Sequence, residues 1–272
     1  MLNKPVVLLT WMIGGLMENV LWISLLLLLG YTLSGRERLA GAGWFMFGFY
    51  WLSTPEYYLH IQDYFNVALT LLAAAFSFYL GVRILSRRAS SAFCWASRAA
   101  AIGGVMYFPF VEISSLNSWL IGSTTQFTYL FMGAFGVPVI MERWNVLILN
   151  GRAVEIVLAC TAIESIALFA GVILSVQAPG GRRFAAVALS TLAIYTLNLG
   201  RNAFVLLAYG GQWFGADSFY VAHNVIAKIG STIALLLIAY LVFALLPELL
   251  SHIDELIKEL RLSVRNPGRG DA

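Results

Sequence analysis

Charge is what this sequence has least of. Only 11% of its 272 residues are charged, where a soluble domain carries about a quarter. Sixty per cent are hydrophobic and the mean hydropathy is +0.80, which excludes a soluble globular domain and leaves a polytopic membrane protein. The net charge is +3 and the basic residues are scattered, so there is no footprint for nucleic acid. The two cysteines, Cys94 and Cys160, exclude a disulfide framework unless they pair with each other. No His/Cys/Asp/Glu group has metal-ligand spacing and there is no glycine-rich phosphate loop, so no cofactor and no metal is expected. The first apolar stretch is too long for the core of a signal peptide and no small-residue cleavage site follows, so it reads as a retained span.

Long apolar runs are abundant. Spans of about 20 residues cross the hydrocarbon core, and seven are expected, at roughly Pro5–Leu33, Leu39–Thr54, Tyr64–Leu85, Ala99–Ile121, Ala159–Val176, Phe184–Leu207 and Ala222–Leu246. Arg36 and Arg38, then Arg83, Arg87, Arg88 and Arg98, then Arg182 and Arg183 lie in alternate connections. Glu56, Asp63, Glu112, Glu142, Glu155 and Asp217 lie in the others. By the positive-inside rule the N-terminus is outside and the C-terminus cytoplasmic, where Lys258, Arg261, Arg265 and Arg269 collect. This topology puts Cys94 and Cys160 at opposite faces, so they do not pair, and Cys94 reads as a small apolar filler.

The chain is read as one integral membrane domain: a four-span region 1–121, an outer cap segment 122–158, a three-span region 159–246 and a cytoplasmic amphipathic tail 247–272. The expected fold class is an all-α polytopic membrane protein, about seven transmembrane helices with a small extracellular helix/β-hairpin insertion before the helix that carries Cys160. In the cap, Gly122–Phe135 suggests a short helix lying on the membrane. Val137–Leu149 and Arg152–Val157 look like strands joined at Asn150-Gly151, a strong two-residue turn signal. Such a hairpin is either an ordinary linker or a cap that can pair with an extended peptide.

Depth decides what else to single out. At about 1.5 Å per residue, Cys160 stands roughly 28 Å above Pro179, Arg201 roughly 27 Å above Arg183, and Lys228 and His223 roughly 28 and 36 Å above Pro247. A thiol, a guanidinium and one or two further basic groups thus share the outer boundary. A nearby cation makes a thiol a competent nucleophile by stabilising its thiolate. Arg201 is a permanent cation and can donate to an oxyanion; His223 suits proton transfer, and Lys228 serves only where burial favours its neutral amine. Glu164, one turn from Cys160 on the same face of a continuous helix, is a candidate holder of Arg201. Each residue also has a plain role: packing for a lone cysteine, snorkelling for an arginine near a helix end, and an interfacial position for a histidine.

Three motifs resemble those of the archaeosortases and exosortases, membrane-embedded cysteine transpeptidases. They are Ala159-Cys160-Thr161-Ala162-Ile163-Glu164-Ser165, Asn198-Leu199-Gly200-Arg201-Asn202, and the run Ala222-His223-Asn224 continuing to Ser231, with Gly136-Val137-Pro138-Val139 as lead-in. The resemblance covers about residues 120–235, and the last motif is the more archaeosortase-like. It implies a catalytic Cys160, an essential Arg201 and a third basic residue, His223 on chemistry or Lys228 on depth, with Glu164, Asn198, Asn202 and Asn224 in support. Two departures stand out: Ala162 replaces the usual glycine, and Glu164 precedes Ser165. The implied partners are exported proteins with a tripartite C-terminal sorting signal, namely a recognition motif, a hydrophobic span and a basic cluster. A thioester would form on Cys160 and a membrane lipid would be the acceptor, at the extracytoplasmic face. A transporter or channel with Glu18, Arg201 and Lys228 lining a polar path is the alternative, although no internal repeat of the transporter kind is visible. A structural subunit whose motifs only pack is the third reading.

Overall fold

The computed structural model describes residues 4–60, 63–86 and 90–265; Arg87, Arg88 and Arg269 lie outside them. The chain is mostly helical and forms two compact units, one made of the chain through Val105 together with the segment from Ser251, the other Met106–Leu250.

In the first unit α1 (Lys4–Ser34) and α4 (Tyr64–Leu85) pack on α2 (Glu37–Ser53), with α3 (Pro55–His60) as a short link. Small residues let these backbones approach, as apolar helices require when no hydrophobic force drives them together. A Cβ on Gly81 would sit 2.7 Å from the Phe45 ring, and one on Gly41 2.5 Å from Leu85. Trp44 Nε1 donates to Ser97 Oγ at 2.8 Å. The tail is a helix, α11 (Glu248–Arg265), as its spacing predicts. Its polar side is fastened by Arg83 to Glu259 at 2.6 Å, by Ser91 to Glu255, and by the stacking of His252 on Trp95.

The second unit begins within α5 (Ser91–Glu112), which meets α6 (Ser114–Ala134) at a 92° bend. The expected straight span Ala99–Ile121 is therefore broken. Pro109 supplies no N–H to the ladder, Ile113 is extended at φ −96° and ψ 104°, and Asn117 Nδ2 donates to the Phe110 carbonyl at 2.8 Å. A sheet follows, β1 (Ile140–Arg143), β2 (Val146–Leu149) and β3 (Arg152–Glu155), antiparallel in the order β1-β2-β3. The hairpin turn falls at Asn150-Gly151 with φ of 52° and 75°, as the turn chemistry dictates. Val137–Leu149, expected as one short strand, is instead two strands, because the chain turns at Trp144-Asn145.

After the sheet come α7 (Ile163–Leu174), α8 (Gly180–Gly210), α9 (Ser218–Tyr220), a π-helical turn at Val221–Ile226 and α10 (Ala227–Leu245). Arg183 Nη1 caps the Leu174 carbonyl at 3.2 Å, and Arg182 holds Glu248 at 2.6 Å. Among the described residues, four helices are long and apolar enough to cross a membrane, five if the bent pair counts as one span. The expected number, seven, is not matched. α2 has 17 residues, and α7 has 12 and rises only about 18 Å against a core of about 30 Å.

Candidate active site

The thiol is placed by a turn, not by a helix. From β3 the chain runs through Ile156, whose N–H donates to the Asn145 carbonyl at 2.8 Å, and through extended Val157 into a 3-10 turn at Leu158–Cys160. Cys160 N–H bonds back to the Val157 carbonyl at 2.8 Å and Thr161 N–H to that of Leu158 at 3.0 Å. Thr161 Oγ1 adds a second bond to the Leu158 carbonyl at 2.7 Å. Ala162 then takes the left-handed conformation, φ 63° and ψ 7°, and α7 starts at Ile163. The expected continuous helix from Ala159 is thus interrupted, since a residue in the left-handed region cannot belong to a right-handed helix. Glycine adopts that conformation freely, which gives a physical reason for the glycine that Ala162 replaces.

α8 fixes the turn. Asn198 Nδ2 donates to the Cys160 carbonyl at 2.7 Å and Asn202 Nδ2 to the same oxygen at 3.0 Å. The two asparagines are four residues apart, on one helical face, and both are buried. An unpaired carbonyl in these surroundings would cost free energy; here both its lone pairs are used. Cys160 itself is 7% exposed. It belongs to a core cluster with Leu147, Leu149, Val154 and Ile156 of the cap, Ile121 and Met132 of α6, and Ala203 and Leu206 of α8. The cap is therefore packed onto the turn that carries the thiol.

Arg201 stands on the flank of that face, about 60° from Asn198 and 100° from Asn202 around the helix. It is half-buried and, among the described residues, makes no ion pair. His223 lies on the π-helical turn, which packs against α8, and its ring is within electrostatic reach of both Arg201 and Lys228. Single π turns inside helices recur at functional sites. The His223 ring stacks on Phe219 at 5.2 Å and 10°. Phe219 meets the edge of Tyr209 at 5.4 Å, and the Arg152 guanidinium lies 5.2 Å over the Tyr209 ring. Lys228 is exposed, and Asn224 half-buried on the His223 turn.

Glu164 departs from expectation. It lies beyond the Ala162 break, is exposed, and accepts a hydrogen bond from Tyr107 Oη at 3.1 Å, with no ion pair to Arg201. Tyr107, Tyr209 and Phe219 were not singled out by the sequence, where they are three among twelve tyrosines and eighteen phenylalanines. Glu18 of α1 is exposed. Both Cys94 and Cys160 are free, and among the described residues no three His, Cys, Asp or Glu side chains gather as a metal site would need.

A multi-helix apolar chain that anchors a buried thiol against a helix whose Arg201 makes no ion pair among the described residues is a multi-pass membrane protein with a candidate nucleophile. The chain belongs to the transmembrane exosortase family, whose model matches residues 19–244 and so contains every residue of this site. It is 29% identical over 288 residues to Archaeosortase A of Haloferax volcanii, covering 89% of this chain and 94% of that one. It is 28% identical over 264 residues to Archaeosortase A of Natronomonas pharaonis, covering 86% of this chain and 83% of that protein. No solved structure matches.

Proposed function

We propose that this protein is a membrane-embedded cysteine transpeptidase that removes the C-terminal sorting signal of exported proteins and passes them to a membrane acceptor. The observation that carries the reading is the double hydrogen bond from Asn198 and Asn202 to the Cys160 carbonyl. It ties the thiol turn to the helix face flanked by Arg201. Family membership supports the same reading over a transport path through Glu18, Arg201 and Lys228.

In the proposed reaction the Cys160 thiol gives its proton to His223 and its sulfur attacks the scissile carbonyl carbon. Arg201 stabilises first the thiolate and then the tetrahedral oxyanion. The C–N bond breaks as the leaving amine takes the proton from imidazolium, and the C-terminal helix departs, leaving a thioester on Cys160. An amine or hydroxyl acceptor, such as a lipid head group, attacks the thioester carbonyl and gives its proton to His223. The thiolate leaves and the cycle closes when His223 returns that proton. Lys228 is the alternative third group; the stacking of His223 and the exposure of Lys228 favour the histidine. The cap and Cys160 face the extracytoplasmic side in this reading, and Arg182, Arg183 and α11 face the cytoplasm.

The deciding experiment compares Cys160→Ala and Cys160→Ser, at equal membrane levels, on an exported reporter ending in a hydrophobic segment and a basic cluster. Both variants are expected to lose processing while remaining folded. Normal processing by both would end the thiol mechanism.

A further inference from the structure

β3 is an edge strand, and it leads directly into the turn that carries the thiol. It pairs with β2 on one side only. A two-residue turn with positive φ at Asn150 and Gly151 makes Leu149 and Arg152 a hydrogen-bonded pair, and such pairs alternate along an antiparallel ladder. Leu147 with Val154 is the next. Asn145 with Ile156 follows, in agreement with the 2.8 Å bond between them. By the same alternation, the main-chain N–H and C=O of Ala153 and Glu155 point away from β2, as does the N–H of Val157. Among the described residues nothing bonds to these groups.

The side chains agree with an open edge. Ala153, Glu155 and Val157 are exposed, whereas Val154 and Ile156 between them are buried. Edge strands are normally blunted by proline, by charged side chains, lysine above all, or by a bulge; this stretch has no proline or lysine, its one charge is Glu155, and the bulge of the sheet lies in β1. From Ala153 to Val157 the edge runs about 13 Å, enough to pair with four or five residues of an extended peptide. Cys160 follows three residues later.

We propose that the extended segment of an exported substrate, the stretch ahead of its C-terminal hydrophobic helix, adds as a fourth strand to the outer edge of β3. The inference rests on the transpeptidase reading above and names how that site takes its substrate. Main-chain pairing supplies affinity without regard to sequence and sets the register in which the scissile bond meets the sulfur, while selectivity is left to side-chain contacts.

The test uses a synthetic peptide that the wild-type enzyme processes, added to the purified full-length Cys160→Ala variant, which cannot turn it over. Amide exchange is followed residue by residue with nitrogen-labelled alanine and valine. Exchange at Ala153 and Val157 is expected to slow at least tenfold when the peptide is bound, with Val154 unchanged because its N–H is already paired. A second experiment compares Glu155→Pro with Glu155→Ala in the active enzyme, both of which lose the carboxylate's bond from Asn145 Nδ2. Only proline also removes an outward N–H, and it spares the main-chain bonds to β2, so KM is expected to be at least tenfold higher in the proline variant than in the alanine variant, with kcat of the two within twofold. Unchanged exchange at Ala153 and Val157 with peptide bound overturns the proposal, as does a KM in a folded proline variant no higher than in the alanine variant. If the proline variant does not fold, the exchange result decides. Processing by Cys160→Ala would instead defeat the thiol mechanism and is read separately.

Discussion

The two asparagine bonds to one carbonyl allow a sharp test of how the thiol is held. Replacing Asn198 or Asn202 with alanine removes one hydrogen bond and leaves the other donor on the Cys160 oxygen. Each single variant should lose about 1 kcal/mol, the usual net worth of a neutral hydrogen bond. In the double variant the carbonyl keeps no partner, and a buried unpaired acceptor adds roughly 1–3 kcal/mol to the loss of the bonds. The double-mutant cycle therefore predicts that the pair costs more than the sum of its parts by about 1–3 kcal/mol, with the cavity cost of each truncation cancelling in the comparison. In mild detergent this corresponds to melting shifts of about 3 °C for each single variant and about 9–15 °C for the double. Processing measured where every variant is folded should fall in the same order, since the freed turn no longer holds Cys160 against α8. Singles that add to the double within about 0.5 kcal/mol would refute the shared-acceptor account. So would a double variant no slower than the singles.

Other consequences follow from the local chemistry. Ala162→Gly should stabilise by about 0.5–1 kcal/mol, the left-handed strain of roughly 1–2 kcal/mol being partly offset by the freer unfolded chain; a thermal melt reads it, and Ala162→Val should melt lower than wild type. Among the described residues Thr124 Oγ1 is buried with no hydrogen-bond partner, whereas Thr125 and Thr128 bond the carbonyls four residues back. Thr124→Val should therefore raise stability by about 1 kcal/mol and Thr125→Val should not, as parallel melts would show. The hydrogen bonds from Arg182 hold the Glu248 carboxyl below the ordinary carboxylate range. A carboxylate with a lowered folded-state value contributes fully above its unfolded value and loses that contribution as pH falls through the folded one. Melting temperature against pH should thus drop on the acid side of the carboxylate range in wild type and drop less in Glu248→Gln.

The class of the protein is legible because composition and long apolar runs report on the solvent that the chain must meet. The turn at Asn150-Gly151 is legible because a two-residue hairpin admits few residues with both φ positive. The bend at Ile113 is not legible in a hydropathy run, although Pro109 is in plain view, because such a run averages over one proline. The run Ala159-Cys160-Thr161-Ala162 reads as helix for a related reason. Alanine is the best helix former, and nothing in its own chemistry favours the left-handed region. The reading of Glu164 on one helical face with Cys160 assumes an unbroken helix, which the left-handed Ala162 interrupts.

What holds Ala162 in a conformation alanine resists lies on another helix. A backbone carbonyl is the same group at every residue, so the Cys160 oxygen leaves no mark in the sequence that says who will bond it. The mark is on the donors. Asn198 and Asn202 are amides one turn apart in an apolar helix, and neither can be buried there without a partner. A single acceptor with two lone pairs satisfies one N–H from each, provided the neighbouring chain turns tightly enough to push a carbonyl out of its own ladder. A 3-10 turn ended by a left-handed residue does so. The asparagine pair and the broken helix are therefore one feature seen from its two sides, and the strain at Ala162 is the local cost of turning the Cys160 carbonyl onto α8.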